Sequence, residues 1–170
     1  GFVAAVYSIG YTRLYVNKCD TRFLGFTYNI FLASMLLVVT ANNAVVFMIV
    51  WELMTIVSFF LVIYEHENPA NMKAGFMYLI MAHIGAVLLS VAFFIMFAYT
   101  GTWDFGFDDF RKVGSHMPLI YKNVVFFLVI IGFGIKAGIF PLHLWLPMAH
   151  PAAPSNVSMV MSGVMIKTAI

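Results

Sequence analysis

The chain has 170 residues, of which 63% are hydrophobic and only 9% are charged. Because an ordinary soluble domain carries about 25% charged residues, this composition indicates a membrane protein. The formal net charge of +2 comes without a basic run, which argues against a nucleic-acid-binding protein. The single cysteine, Cys19, can form neither an internal disulfide nor a CxxC site for metal or redox chemistry.

Apolar segments fill nearly the whole chain and predict an all-α, polytopic bundle of transmembrane helices. A bilayer core about 30 Å thick requires about 20 apolar residues per helix. The predicted spans are residues 2–11 (partial), 23–40, 44–64, 74–99, 123–147 (broken) and 155–170 (truncated). Since the sequence starts without Met and stops inside an apolar segment, we expect one transmembrane domain, residues 1–170, that is a fragment of a longer protein.

The loops between these spans carry the charges that set the orientation in the membrane. One face holds Arg13, Lys18, Arg22 and Lys73, and the other holds Arg111, Lys112 and Lys122. Cytoplasmic loops are enriched in Lys and Arg, so this excess favours a cytoplasmic position for the first loop. The long loop at residues 101–122 interleaves aromatic with charged residues, and we expect it to lie partly in the membrane interface.

The segment around Lys136 carries the strongest chemical signal. Lys136 lies in the Gly-rich run GFGIKAGIFP, which ends at Pro141. A charge at the centre of a membrane helix costs about 2.5–3.5 kcal/mol, so such a lysine is a functional-site hypothesis by default. Pro141 cannot donate to the carbonyl of Ala137, and we therefore predict a discontinuous helix near Lys136 to Pro141 that includes Gly138. Membrane helices with breaks of this kind often line cavities or ion sites.

Three ionisable groups at membrane depth are candidates for proton translocation: Glu52, Lys136 and Lys167. A carboxylate close to a buried lysine favours its charged form, whereas burial alone favours the neutral form. If Glu52 pairs with Lys136, movement of the acid controls whether the lysine holds its proton. A static structural ion pair is the alternative for these two residues.

Histidines supply further candidates. His143 lies in the run PLHLWLP and His150 follows it, and both are candidate relay groups because histidine titrates near physiological pH. A packing or interfacial role is the alternative for each, and the same two alternatives apply to His83 in the span 74–99. No Walker loop, zinc spacing or Ser/His/Asp arrangement occurs in the sequence, so we predict no metal site, no cofactor and no catalytic residue.

Three runs carry a resemblance: WELMTIVSFFLVI around Glu52, GFGIKAGIFPLHLWLPMAHPAAPS around Lys136, and MSGVMIKTAI around Lys167. Together they resemble the antiporter-like, proton-conducting membrane subunits of complex I-like complexes, in the branch that contains hydrogenase-4 component B and formate hydrogenlyase subunit 3. Respiratory complex I members often have Asp where this chain has Met148. This departure favours the hydrogenase-like branch, and no role of that aspartate is carried over to this chain.

The resemblance implies that the chain holds most of the first of two inverted five-helix repeats. It assigns Lys136 as the pumping lysine, Glu52 as the acid that tunes it, and Lys167 as a lysine on the central axis. It places His143 and His150 at relay positions.

The implied function is a proton-translocating, multi-pass subunit of a membrane-bound hydrogenase or NADH-quinone oxidoreductase-like complex in the cell membrane. The subunit has no redox centre of its own, and its partners are other membrane subunits and a peripheral redox arm. Na+ is the alternative ion, and a Mrp-type cation/proton antiporter is the alternative assembly. A third hypothesis is a haem-bearing anchor with His83 and His143 as axial ligands.

Overall fold

The computed structural model describes residues 2–11, 20–101 and 105–170 of the chain. Within these ranges the backbone is helical, with turns and an isolated bridge but no sheet. The elements are α1 (Phe2–Tyr11), α2 (Thr21–Thr40), α3 (Ala44–Val62), α4 (Pro69–Ala98), α5 (Phe107–His116), α6 (Leu119–Ala137), α7 (Leu146–Ala152), α8 (Ser155–Val160), a π-helical turn (Met161–Met165) and a 3₁₀ turn (Ile166–Ala169). In the described part of the chain, α2, α3, α4 and α6 are long and apolar enough to cross a membrane. The prediction of an all-α transmembrane bundle is confirmed.

Side-chain caps fix where three of the long helices begin. Asp20, Asn43 and Asn68 each accept hydrogen bonds from backbone amides in the first turn of α2, α3 and α4. The first N–H groups of a helix have no intrahelical partner, so each cap satisfies donors that would otherwise need water. Pro69 occupies the first position of α4, where the N–H that proline lacks is not needed.

The centre of the bundle is the contact of α4 with α3 on one side and α6 on the other. Gly85 of α4 and Gly132 of α6 let these two helices approach closely. A Cβ on Gly132 would lie 2.8 Å from Cγ of Leu89, and one on Gly85 would lie 2.9 Å from the Gly132 carbonyl oxygen. Small residues at such contacts allow the close backbone packing that drives helix association in membranes. This packing brings the end of α6 against α4.

The segment from Phe107 to His116, which we predicted as part of an interfacial loop, is the short amphipathic helix α5. Phe110 and Val113 are buried three residues apart, while Lys112 and Asp109 face outward and form an ion pair of 2.9 Å. This hydrogen bond from Lys112 to the Asp109 carboxylate raises the pKa of Lys112. The apolar spacing of three is typical of one helix face, so the signal was present in the sequence.

Candidate functional site

The long helix α6 ends directly after Lys136, and a loop then leads to α7. Gly138 caps α6 with a left-handed backbone, φ 69° and ψ 37°, and the amide of Ile139 donates to the Gly134 carbonyl at 2.9 Å. This is the common glycine ending of a helix, which satisfies free carbonyls of the last turn. A Cβ at position 138 would also lie 2.5 Å from Cδ1 of Leu146.

The predicted discontinuity is confirmed, although its immediate cause differs from the one we expected. The helix α6 ends at Ala137, and Pro141 lies in the loop that follows. Pro141 therefore does not interrupt a helix that continues past Ala137, as we had expected. The Gly138 cap terminates α6, and Pro141 follows as a residue that cannot extend the helix.

A buried tryptophan stabilises the broken end of α6. Trp145 is 1% exposed, and its indole Nε1–H donates to the carbonyl of Ile135 at 2.7 Å. In a bilayer an unpaired carbonyl costs several kcal/mol, so breaks are tolerated only where protein or water satisfies the backbone. The Ile135 carbonyl also accepts from the backbone amide of Gly138 at 3.2 Å, so the loop adds a second, shorter hydrogen bond to a carbonyl of the last turn.

Lys136 is buried and is held by neutral groups. Its side chain is 2% exposed, and Nζ donates to the Thr55 hydroxyl at 2.9 Å and to the Tyr78 hydroxyl at 2.8 Å. Nζ also lies 5.7 Å from the centre of the Trp51 ring and 5.1 Å from the centre of the Tyr78 ring. No carboxylate of the described residues lies within ion-pair distance of Lys136. Hydroxyls and aromatic faces are thus the local partners of the ammonium group.

The hydroxyl cluster continues beyond these first partners. Ser58, fully buried on α3, lies 2.6 Å from the Tyr78 hydroxyl. Thr55 donates to the carbonyl of Trp51 at 3.0 Å, which leaves the Thr55 oxygen free to accept from Lys136. Sequence reasoning missed Thr55, Ser58 and Tyr78. The only signal was that Thr55 and Ser58 follow Glu52 at intervals of three on α3.

Glu52 was expected to pair with Lys136, and this contact is not formed. The Glu52 Oε2 atom lies 3.4 Å from Nε2 of His83, and the two side chains are 30% and 48% exposed. Three residues along an α-helix correspond to a rotation of about 300°. Thr55 therefore faces Lys136, while Glu52 is turned away by about 60° toward His83 on α4.

The contact between Glu52 and His83 joins a carboxyl oxygen to a ring nitrogen. His83 Nδ1 lies 2.9 Å from the carbonyl of Leu79, so Nδ1 carries a hydrogen and donates it. The other ring nitrogen, Nε2, faces the Glu52 carboxyl group at 3.4 Å. Both ring nitrogens of His83 are thus engaged, which argues against this histidine as a haem ligand.

The other predicted residues surround the helix break without contacting Lys136 directly. His150 Nδ1 lies 3.0 Å from the Ser158 hydroxyl, and its ring stacks on Trp145 at 6.3 Å. His143 lies in the loop beside Phe140, and its buried Nδ1 has no partner among the described residues. Lys167 lies in the 3₁₀ turn that follows the π-helical turn, and it is not buried. The structure places the five predicted residues in separate contacts.

No group of three or more His, Cys, Asp or Glu side chains in the described ranges could hold a metal ion. The polar groups that do converge are those around Lys136. A hydroxyl can either donate or accept a hydrogen bond, so these groups can partner the lysine nitrogen whether it is charged or neutral.

Comparison with known proteins gives a consistent result. Residues 41–170 match the protein family described as NADH:quinone oxidoreductase/Mrp antiporter, TM. The chain is 43% identical over 168 residues to hydrogenase-4 component B of Escherichia coli (strain K12), covering 99% of this chain and 24% of that protein. It is 30% identical over 167 residues to formate hydrogenlyase subunit 3 of the same strain, covering 98% of this chain and 25% of that protein.

Among solved structures the chain is similar to part of the membrane-bound sulfane sulfur reductase, an archaeal respiratory membrane complex. The TM-score is 0.76 at 31% identity, covering 92% of this chain and 24% of that chain. The chain therefore spans about a quarter of the length of these relatives. The resemblance inferred from the three sequence runs is confirmed, and the protein is a multi-pass membrane protein.

Proposed function

Because the chain belongs to the NADH:quinone oxidoreductase/Mrp antiporter transmembrane family, we propose that it is part of a proton-translocating subunit of a membrane-bound hydrogenase or complex I-like complex. The observation that carries the proposal is the burial of Lys136 beside a helix break, with neutral partners only in the described part of the chain. In this role Lys136 takes up a proton from one side of the membrane and releases it to the other.

The surroundings of Lys136 suit both of its protonation states. An ammonium group donates to the oxygens of Thr55 and Tyr78, and two aromatic rings contribute cation–π attraction. The same hydroxyls can donate to a neutral amine. A buried lysine paired directly with a carboxylate would instead be held in its charged form. Among the described residues Lys136 has no such contact, which supports the proposal that its ammonium group can release a proton.

Glu52 and His83 form an adjustable charge in this proposal, meaning a pair whose total charge changes and influences the charge of Lys136. Their side chains contact each other at 3.4 Å, so a proton bound by either one reduces the negative charge of the pair beside α3. Without such a proton, the Glu52 carboxylate is a negative charge one helical turn from Thr55. A negative charge at that distance favours the ammonium form of Lys136. Loss and return of this proton therefore couple to the charge of the lysine.

His143, His150 and Lys167 are proposed as the groups that carry protons away from the break. His143 has a buried Nδ1 available beside the loop, and His150 lies against Trp145, which caps the broken end of α6. The chain binds no redox cofactor in this proposal. A peripheral redox arm and other membrane subunits supply the energy, and Na+ is the alternative ion.

The deciding experiment measures ion pumping by vesicles that contain the full-length complex with Lys136→Met, together with electron transfer and assembly. We expect pumping to be lost in an assembled complex. Lys112→Met is the matched control, since Lys112 is an exposed lysine on the surface helix α5. Normal pumping by the assembled Lys136→Met complex would show that the lysine is a structural charge.

A Mrp-type cation/proton antiporter is the second candidate, because the family description includes that class. The two candidates differ in their source of energy. An antiporter exchanges cations for protons without an electron donor, whereas pumping in a redox complex stops when the donor is removed. The same vesicles, assayed with and without donor, separate them.

A further inference from the structure

The Tyr78 hydroxyl contacts two groups besides Lys136, and the proposed function uses only its contact with the lysine. Tyr78 is fully buried on α4, and its hydroxyl lies 2.8 Å from Lys136 Nζ and 2.6 Å from the Ser58 hydroxyl. A third group, Met165 Sδ in the π-helical turn, lies 3.8 Å away and is a weak acceptor. The Tyr78 hydroxyl therefore connects the lysine to a second hydroxyl at close range.

The hydrogen-bond directions follow from the donors when Lys136 is charged. An ammonium group only donates, so the Tyr78 oxygen accepts from it and the Tyr78 proton must point elsewhere. Ser58 is the strong acceptor within reach. The Ser58 proton in turn bonds the carbonyl of Met54 at 2.7 Å. Each group then donates to the next: Lys136 to the Tyr78 oxygen, Tyr78 to the Ser58 oxygen, and Ser58 to the Met54 carbonyl of α3.

When Lys136 is neutral, its nitrogen carries a lone pair that requires a donor. The Tyr78 hydroxyl can rotate to donate to this nitrogen, and Ser58 can then rotate to donate to the Tyr78 oxygen. The Met54 carbonyl then loses the hydrogen bond from the Ser58 hydroxyl but keeps its backbone hydrogen bond within α3. Each hydroxyl keeps its own proton, and no covalent bond changes.

We propose that Tyr78 and Ser58 form a reversible hydroxyl chain, whose direction inverts each time Lys136 gains or loses a proton. The two residues are positioning residues that satisfy the lysine in both states, and they do not carry the translocated proton. This inference rests on the proposed function of Lys136. It explains how a buried lysine can change charge with no carboxylate of the described residues in contact.

Other ionisable groups on the packed elements do not replace this hydroxyl chain. They are Glu52 on α3, His83 and Lys73 on α4, His150 on α7 and Lys167 in the 3₁₀ turn. Glu52 and His83 contact each other, and His150 contacts Ser158. None of the set forms a hydrogen bond or ion pair with Lys136 in the described ranges. Within the described ranges, the direct hydrogen-bond partners of Lys136 are therefore the hydroxyls of Thr55 and Tyr78.

The test compares Tyr78→Phe and Ser58→Ala in the full-length complex, with pumping measured across a range of pH. Tyr78→Phe removes an oxygen that accepts a hydrogen bond from the ammonium group of Lys136. We therefore expect the pH profile of the pumping rate to move toward acid by about one unit, with about a tenfold loss of rate on its plateau near neutral pH. Ser58→Ala leaves the Tyr78 proton with the weak sulfur acceptor, so its profile moves in the same direction by a smaller amount.

Ser34→Ala is the matched control, since Ser34 is a fully buried serine that bonds the carbonyl of Phe31 in its own helix. Its rate and pH profile should equal those of the parent complex. If Tyr78→Phe and Ser58→Ala both behave like this control, or lose rate with an unchanged pH profile, the hydroxyl chain is refuted. Ser58→Ala keeps the test decisive should Tyr78→Phe fail to assemble.

Lys136→Met separates this inference from the function on which it rests. Loss of pumping in Lys136→Met with normal behaviour of Tyr78→Phe and Ser58→Ala would refute the hydroxyl chain alone. Normal pumping in Lys136→Met would refute the proposed function itself.

Discussion

Substitution of Gly138 by alanine tests the helix break directly. At φ 69° an alanine pays the left-handed backbone penalty of about 1–2 kcal/mol. Its Cβ would also lie 2.5 Å from Cδ1 of Leu146, the end of a flexible side chain that must move. Such crowding adds about 1 kcal/mol. We therefore expect Gly138→Ala to destabilise the protein by about 2–3 kcal/mol.

Gly101 provides a control with a similar positive φ and no crowding. Its φ is 67°, and nothing lies within 4 Å of a Cβ built there. Gly101→Ala should therefore lose only the backbone contribution, about 1–2 kcal/mol. The difference between the two variants measures the contact with Leu146. Adding Leu146→Ala to Gly138→Ala removes that contact, and the double-mutant cycle should show a coupling of about 1 kcal/mol.

The assay is the thermal stability of the purified complex, followed by pumping in vesicles. We expect the melting temperature to decrease in the order parent, Gly101→Ala, Gly138→Ala. Pumping should fall only in Gly138→Ala, because Lys136 lies two residues before the cap. The idea that α6 must end in a glycine would be contradicted if Gly138→Ala were as stable as Gly101→Ala, or if it pumped normally.

Two further substitutions probe other contacts of the site. Glu52→Gln should lower pumping while leaving assembly intact, because it removes the ionisable carboxyl group that contacts His83; vesicle pumping beside the exposed control Glu65→Gln measures this, and equal rates would count against the adjustable charge. Trp145→Phe should destabilise the complex by about 0.5–1.5 kcal/mol, because the buried Ile135 carbonyl loses the indole donor and keeps only the Gly138 amide; an unchanged melting temperature would mean that water replaces the indole.

The sequence was sufficient for properties that depend on composition and on neighbours along the chain. Low charge and long apolar runs determine a helical membrane protein, because the bilayer requires each segment to satisfy its own backbone. Glycine and proline around residues 132–141 determine that a helix ends beside Lys136. The amphipathic α5 could also have been predicted, since Phe107, Phe110 and Val113 share one helix face. Its short length and charged surroundings led us to a loop instead.

Only the tertiary structure decided which groups meet Lys136. Thr55 and Tyr78 lie 81 and 58 residues away in sequence, and a hydroxyl in a membrane helix bonds its own backbone as readily as a neighbour. Glu52 has the stronger charge and was the natural partner on chemical grounds. The rotation of α3 directs Thr55 to the lysine and Glu52 to His83. That rotation is set by packing between helices, where side-chain volumes and small residues such as Gly85 and Gly132 act together, and no local pattern of residues contains it.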